Sequence, residues 1–432
     1  MTRAAALVLL GLAAASPAPG QDLKGYVSAL FGAMPEAGAN PGDRGVAELR
    51  TRLFAEELFD AGDHVHFTIG AYVDGLVANR EPLGARGVTR DAIARAGDLY
   101  ADVRMSRFDL RLGMSRIVWG RLDEFQPGDV VNPLDLSRFL LEGRSEARLP
   151  VAMVRGRAFL SGDTTVEGVL VPFFRRGRFD QLAEETSPFA LTPPGRPERH
   201  EPDVTWRSLQ GGGRLTSTVG RLDWGVSVYR GFESFPAYTY RVPDVGDSLA
   251  IPLVAPTVVE IFPRFTMLAT DFETVRGPWG MRGEIAWFPD DTLQSFSPVT
   301  PLPGRSIEAG IGMDRRAGNY RVSGNVLVAR RRVDRAALDA NPIPFDARIE
   351  NTDVSLVGWA ERTFARETRT VRMLAVYNPD AASAFVRGIV AFSLRDNLLL
   401  ETSAGWLRGT ELDLLSRLST RDFVYARLKV YF

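Results

Sequence analysis

Two closely spaced histidines are the first residues in this chain that could do chemistry. His64 and His66 lie two residues apart in a stretch of alternating polar and apolar residues. Successive side chains of a β-strand point to opposite faces, so both imidazole rings would share one face, a spacing that can chelate a metal ion. Asp74 could complete such a site, but the third histidine, His200, is remote in sequence and cysteine is absent. Two histidines on a wet strand face are the simpler interpretation, so we predict no metal site.

Covalent catalysis would need a nucleophile, a base and an orienting carboxylate within reach of one another. A serine or threonine near His64 is conceivable, but no pattern indicates one, and the templates of phosphate-binding loops, zinc helices and hydrolase elbows are absent. The lack of cysteine excludes disulfide scaffolds and thiolate chemistry. We therefore predict no catalytic residue and no cofactor. A hydrolase that uses His64 or His66 remains an alternative.

The C-terminal segment shows most clearly which kind of secondary structure positions these residues. Arg421 to Phe432 alternates, and one of its two faces is wholly apolar. The apolar face holds Val424, Ala426, Leu428, Val430 and Phe432, and the other face holds Phe423, Tyr425, Arg427, Lys429 and Tyr431. A barrel of the outer membrane closes with such a strand, its final aromatic ring lying at the lipid–water boundary.

The first twenty residues have the pattern of a secretory signal peptide. Arg3 precedes an apolar run from Ala4 to Ala15, and small, turn-forming residues follow from Ser16 to Gly20. The run is shorter than the about 20 residues of a spanning helix. We predict a signal peptide at residues 1–20 and one mature domain at residues 21–432, which could enter a membrane only as a barrel.

Alternation along the chain predicts eighteen strands, with 16 or 14 as alternatives. The gaps between them follow a parity: alternate gaps are tight, as at Gly220-Arg221, and the intervening ones are mostly long, as from Gly120 to Pro150. Gly75 to Asp98 is counted among the long gaps. A barrel inserted from the periplasm has short turns on that side and long external loops. The parity favours an all-β, antiparallel transmembrane barrel over a soluble sandwich or solenoid.

In such a barrel the polar face of each strand points to the lumen. The predicted lumen-facing residues, which could line a pore, are Glu48, Arg50, Arg52, His64, His66, Asp109, Arg111, Arg282, Glu284, Arg321, Arg372, Arg387, Glu401 and Arg427. An arginine-rich wall favours anions, unless opposite charges pair across the lumen and only hold the wall rigid. The second interpretation is preferred.

Aromatic residues indicate the two lipid boundaries. Trp279 and Trp287 lie eight residues apart on one apolar face, which separates them by roughly 20 Å along the membrane normal at about 3.3 Å per residue and a tilt near 40°. Trp406 and Phe432 are the other predicted interface aromatics. The apolar stretch Leu249 to Phe262 would be a sticky patch in water, so we expect it to fold into the lumen, cap the mouth or meet a hydrophobic ligand.

Three stretches carry a family resemblance: Arg111 to Gly120 (RLGMSRIVWG), Asp129 to Asp135 (DVVNPLD) and Arg148 to Pro150 (RLP). Together with Gly280 to Ala286, they resemble a proteobacterial family of uncharacterised, porin-like outer-membrane barrels with an RLGxQxIVWG…DVxNPxD signature. Ser115 stands where that family usually has glutamine. The resemblance covers about residues 98–290 and implies a large barrel associated with export or handling of hydrophobic compounds. It implies no functional residue.

From these observations we expect a channel or transporter in a Gram-negative outer membrane that passes a small or hydrophobic solute. The alternatives are a structural or export-associated barrel plugged by its own loops, and an outer-membrane hydrolase. The expected partners are outer-membrane lipid, the solute, and the barrel-assembly machinery during biogenesis. The formal net charge of −1 gives no general attraction to nucleic acid.

Overall fold

The computed structural model describes residues 23–35, 45–80, 87–191, 197–241, 257–296, 299–340, 349–410 and 413–432. The predicted signal peptide and most of the apolar stretch Leu249 to Phe262 lie outside these ranges and stay predictions. None of the helices in these ranges is long and apolar enough to cross a membrane.

Strands dominate the described chain. In order they are β1 (Lys24–Met34), β2 (Val46–Asp60), β3 (Val65–Ala78), β4 (Thr89–Arg104), β5 (Phe108–Ser115), β6 (Val151–Phe159), β7 (Thr164–Val171), β8 (Glu198–His200), β9 (Gln210–Val219), β10 (Leu222–Phe232), β11 (Ala237–Arg241), β12 (Thr257–Ile261), β13 (Arg264–Arg276), β14 (Trp279–Phe296), β15 (Val299–Ala317), β16 (Tyr320–Val333), β17 (Thr352–Phe364), β18 (Arg369–Asn378), β19 (Ser383–Arg395), β20 (Leu398–Arg408) and β21 (Phe423–Tyr431). Short α-helices span Leu136–Glu142, Arg144–Ala147, Arg335–Ala340 and Leu414–Arg417.

All strands except β8, β11 and β12 form one antiparallel sheet of eighteen strands, in which each strand pairs with its neighbours along the chain. The sheet closes because β21 pairs with β1, from Tyr26 opposite Tyr431 to Ala33 opposite Val424. At this seam, Gly25 and Phe432 exchange backbone hydrogen bonds of 3.0 Å. Closure satisfies the backbone groups that an open edge would leave unpaired. The predicted eighteen-stranded barrel is confirmed.

The predicted parity of the connections is also observed. At one end, which we call the turn end, every connection has two to four residues. At the other, the loop end, the connections have ten residues or more, except those between β14 and β15 and between β18 and β19. Within the described ranges, β14 pairs past Phe288 with β15 and no longer with β13, so this hairpin extends beyond its neighbours. The short strands β8, β11 and β12 form a separate sheet, which the sequence pattern did not predict.

The predicted long gap from Gly75 to Asp98 is wrong. β3 continues to Ala78 and β4 begins at Thr89, which leaves ten residues between them. The early part of β4 exposes Ala92 and Ala94 on its outer side. Alanine has a small side chain and differs little from polar residues in hydrophobicity. The alternation at the start of β4 is therefore weak, and this part of the strand was not predicted.

The outer surface of the barrel is apolar. Large aliphatic side chains such as Val73, Ile285 and Ile311 are 44 to 58% exposed on it. The four predicted interface aromatics, Trp279, Trp287, Trp406 and Phe432, are 36 to 46% exposed. An exposed apolar surface of this extent suits a lipid environment rather than water.

The interior holds a chain segment at residues 116–150, which connects β5 to β6 and which we call the inner segment. Its buried Trp119 packs with Tyr229 and Met267 of the wall in one apolar cluster. On the opposite side, Leu140 of the helix Leu136–Glu142 packs with Phe385 and other inward-facing residues of β1, β19 and β21. The expectation that inward faces are polar is therefore wrong where the inner segment needs an apolar core.

Candidate channel interior

One arm of the inner segment is fixed to the wall by Glu284 of β14. The carboxylate of Glu284, which is buried, accepts hydrogen bonds from the backbone N–H groups of Arg121 and Leu122, the latter at 2.5 Å. The N–H group of Gly128 lies 3.5 Å from it. A wall carboxylate thus takes over backbone donors that the inner segment, having no strand partner here, could not satisfy itself.

Asp123 of the inner segment extends this contact to two further strands. Its carboxylate pairs with Arg282 of β14 at 2.5 Å and accepts hydrogen bonds from the Ser323 hydroxyl of β16 at 2.7 Å and the Trp359 indole of β17 at 3.1 Å. Its neighbour Glu124 pairs with Arg372 of β18 at 3.0 Å. This side of the inner segment meets the wall mainly through charged and polar groups.

The helix Leu136–Glu142 is fixed to the other wall. Its N-terminus is capped by Asp135, whose carboxylate accepts from the Arg138 N–H at 3.1 Å. Glu142, in its last turn, pairs with Arg427 of β21 at 3.0 Å. Burial alone would raise the pKa of the Glu142 carboxyl, but the guanidinium groups of Arg138 and Arg427 hold that pKa well below its ordinary value. The ion pair therefore persists across ordinary pH.

Arg387 and Tyr425 complete this anchorage. Arg387 donates to the backbone carbonyl of Leu141, near the C-terminal end of the helix, and the Tyr425 hydroxyl lies 3.0 Å from the same oxygen. Cationic and hydroxyl donors are well placed there because the last carbonyl groups of a helix lack partners within it. Glu401 joins the group through the Tyr425 hydroxyl at 2.6 Å and Arg427 at 3.0 Å.

A second segment, residues 172–191 between β7 and β8, also turns inward. Its Asp180 is fully buried and accepts from Arg50 of β2 at 2.6 Å and from Arg80 at 3.2 Å. Both arginines also pair with Glu48 of β2. Burial opposes ionisation, yet the guanidinium groups of Arg50 and Arg80 keep the pKa of Asp180 below its ordinary value.

The remaining predicted lumen residues pair along the wall or lie at its turn end. Arg52 bonds Asp74 at 2.5 Å, Arg111 bonds Asp102 at 2.7 Å, and Arg157 bonds Asp109 at 2.6 Å. Arg321 is exposed and lies over the Trp359 ring, 5.4 Å from its centroid. These opposite charges pair between neighbouring strands of the wall, whereas the preferred sequence interpretation was pairing across the lumen.

The two histidines lie away from the centre of the lumen. His64 is exposed in the turn before β3, not within the strand, and His66 pairs with Asp60 at 2.5 Å near the same turn. His200 lies in β8, beside Glu198 at 2.8 Å. Within the described ranges, no group of three or more acidic or histidine side chains could hold a metal ion.

Above the inner segment, a cavity of about 1090 Å³ opens at the loop end. Phe125, Phe139 and Leu140 of the inner segment form its floor, and strands β14 to β19 supply much of its wall. Phe232, the last residue of β10, and Phe235, in the connection that follows, also line the cavity. The volume lies slightly above the range of about 300–1,000 Å³ that small-molecule sites usually occupy.

The sequence did not indicate which loop residues reach the wall. Asp123, Glu124, Glu142 and Asp180 were missed because each meets a partner far away in the chain. The only available signal was the density of charged and turn-forming residues between Gly120 and Pro150.

Comparison with known proteins agrees with this architecture. Residues 92–303 match the model of a family described as a protein of unknown function, DUF1302. The chain is similar in fold to OccAB4 of Acinetobacter baumannii, with a TM-score of 0.52 and 10% identity over 95% of this chain and 97% of that one. OccAB1 of the same organism gives 0.53 and 12% over 95% and 96%. A BenF-like porin from Pseudomonas fluorescens gives 0.50 and 10% over 96% and 98%. No curated sequence matches significantly.

Proposed function

We propose that this protein, a porin-like barrel whose residues 92–303 match a family of unknown function, is an outer-membrane channel that passes a small solute of partly apolar character. The inner segment narrows its lumen, and the loop end faces the exterior. The observation that carries the proposal is the open cavity of about 1090 Å³ whose floor is the inner segment. No covalent step or cofactor is part of the proposal.

The similarity of the fold to a porin supports the proposal, as does the side of the inner segment that meets the wall through polar groups. Asp123 and Glu124 contact β14 and β16 to β18 by ion pairs and hydrogen bonds. Contacts of this kind can exchange with water, whereas a packed apolar interface excludes it. Passage would therefore follow this side.

The alternative is a barrel plugged by its own segments, and a specific observation favours it. The helix Leu136–Glu142 and the buried Trp119 each complete an apolar cluster against the wall. Such packing holds a segment in one position.

Planar bilayers distinguish the two proposals. For a channel we expect the purified full-length protein to give stable, stepwise single-channel currents and to admit small sugars into proteoliposomes. For a plug we expect no steps from the natural chain, with steps only after the inner segment is released by substitution of Glu284. Absence of current from both forms, in protein shown to be a folded barrel, would contradict the channel.

A further inference from the structure

The cavity at the loop end has an unusual charge. Seven carboxyl groups line it against two guanidinium groups, those of Arg144 and Arg331. Deeper in the lumen, by contrast, arginines such as Arg52, Arg111 and Arg282 pair with the acids beside them. The excess of negative charge is therefore a property of the mouth.

Several of the seven carboxyl groups already have cationic partners. Arg331 is 2.5 Å from Asp353 and 3.8 Å from Glu308, and Asp129 is paired with Arg144 at 3.2 Å. Two others, Asp380 and Asp413, accept hydrogen bonds from the backbone or cap a helix. These groups are explained by the fold.

Glu233 and Asp291 are not explained in this way. In the described part of the chain neither forms an ion pair, and the Asp291 carboxylate accepts only the N–H of Thr292, at 2.7 Å. Burial, with the carboxylates of Asp291 and Glu308 facing it, raises the pKa of Glu233 to about 8. A cation placed between the two acids would remove this repulsion.

The rest of the lining suits an apolar body. Seven phenylalanines line the cavity, among them Phe232 and Phe235 on either side of Glu233 in sequence and Phe265 and Phe288 of the wall. Aromatic faces attract cations as well as apolar surface, and the attraction is stronger where water is excluded. Aromatic rings and unpaired acids therefore occur in the same cavity.

We infer that this cavity binds solutes that combine an aromatic or aliphatic body with a positive charge. The inference rests on the proposed channel function and specifies the class of solute that the channel would admit from the loop end. Neutral apolar solutes would gain only the apolar part of the binding energy, and anions would be repelled by the mouth.

Three probes of matched chemistry test the inference: benzyltrimethylammonium, benzenesulfonate and tetramethylammonium. Binding to the full chain in detergent micelles is measured by isothermal titration at low salt, independently of any current. We expect benzyltrimethylammonium to bind at least tenfold more tightly than either of the others. Equal or tighter binding of benzenesulfonate would overturn the inference, and equal binding of tetramethylammonium would overturn its apolar part.

Two variants locate the site. The double substitution Glu233→Gln with Asp291→Asn removes charge but keeps volume, and should weaken benzyltrimethylammonium binding at least tenfold without changing that of benzenesulfonate. Asp396→Asn removes a carboxylate from an exposed turn at the other end of the barrel and should change neither. If the double variant binds benzyltrimethylammonium as tightly as the natural protein does, the proposed site is refuted. A protein that binds the cation but gives no current would refute the channel while leaving the site in place.

Discussion

Replacing Glu284 by alanine should release the arm of the inner segment that this residue holds. Its carboxylate accepts hydrogen bonds from the N–H groups of Arg121 and Leu122 inside the barrel. Alanine leaves both donors without that acceptor, and each buried, unsatisfied donor costs about 1–3 kcal/mol. At about 1.5 kcal/mol each, the total of about 3 kcal/mol raises the released population by about 100-fold, since about 1.4 kcal/mol is a factor of ten.

Hydrogen exchange and single-channel recording measure this release. In the alanine variant, protection of the Arg121 and Leu122 amides should fall by about two orders of magnitude, in proportion to the released population. Currents should become larger or noisier. Glu284→Gln keeps an acceptor oxygen but loses the charge, so its effect should be intermediate. Glu367→Gln, in an exposed turn between β17 and β18, makes the same charge change without touching the inner segment.

The reasoning fails if the alanine variant exchanges these amides at the natural rate. It also fails if Glu284→Gln and Glu367→Gln cannot be distinguished by exchange, because the predicted effect comes from the contact rather than from the charge alone. Heat-dependent migration in gel electrophoresis shows beforehand that each variant has formed a barrel.

Three further predictions concern the wall, the mouth and the outer surface. Gly113 has a φ of +133°, and a Cβ there would collide with the backbone of β4. We therefore expect that Gly113→Ala does not form the barrel, so that its migration in gel electrophoresis no longer depends on heating. Because burial and the carboxylates of Asp291 and Glu308 raise the pKa of Glu233 to about 8, Glu233 gains its negative charge as pH rises from 7 to 9. Binding of benzyltrimethylammonium should strengthen severalfold over that range, and should not do so in Glu233→Gln. Trp287→Ala should lower the free energy of unfolding in lipid vesicles by about 1–3 kcal/mol, as read from urea titration, because the ring contributes apolar area to the outer surface.

The barrel itself could be predicted because the sequence patterns that indicate it are local. Each strand of the wall alternates over about ten residues, and the alternation of Val424 to Phe432 is complete without reference to the rest of the chain. The length of each connection is likewise a local property. The gap between Gly75 and Asp98 was predicted wrongly because the outward residues there are alanines and the local signal is weak.

The interior could not be predicted because its contacts are not local. Asp123 meets Trp359, and Glu142 meets Arg427, across more than two hundred residues of sequence. Inward-facing apolar residues such as Leu407 and Phe423 interrupt the polar pattern and join the apolar cluster that contains Leu140 of the inner segment. Without knowledge of that segment's position, these residues cannot be distinguished from errors in the alternation.

The two sides of the inner segment have different consequences for any solute that moves from the cavity toward the turn end. Against β19, β21 and β1, displacement would expose packed side chains such as Leu140 and Phe385 to water and create a cavity, at a cost of several kcal/mol for each large side chain. Against β14 to β18, displacement exchanges ion pairs such as Asp123–Arg282, whose side chains are 18 to 19% exposed, for hydration, so that water replaces part of the interaction that is lost. Movement that admits a solute is therefore least costly beside the polar arm, the same arm that Glu284 holds and that borders the acidic, phenylalanine-lined cavity.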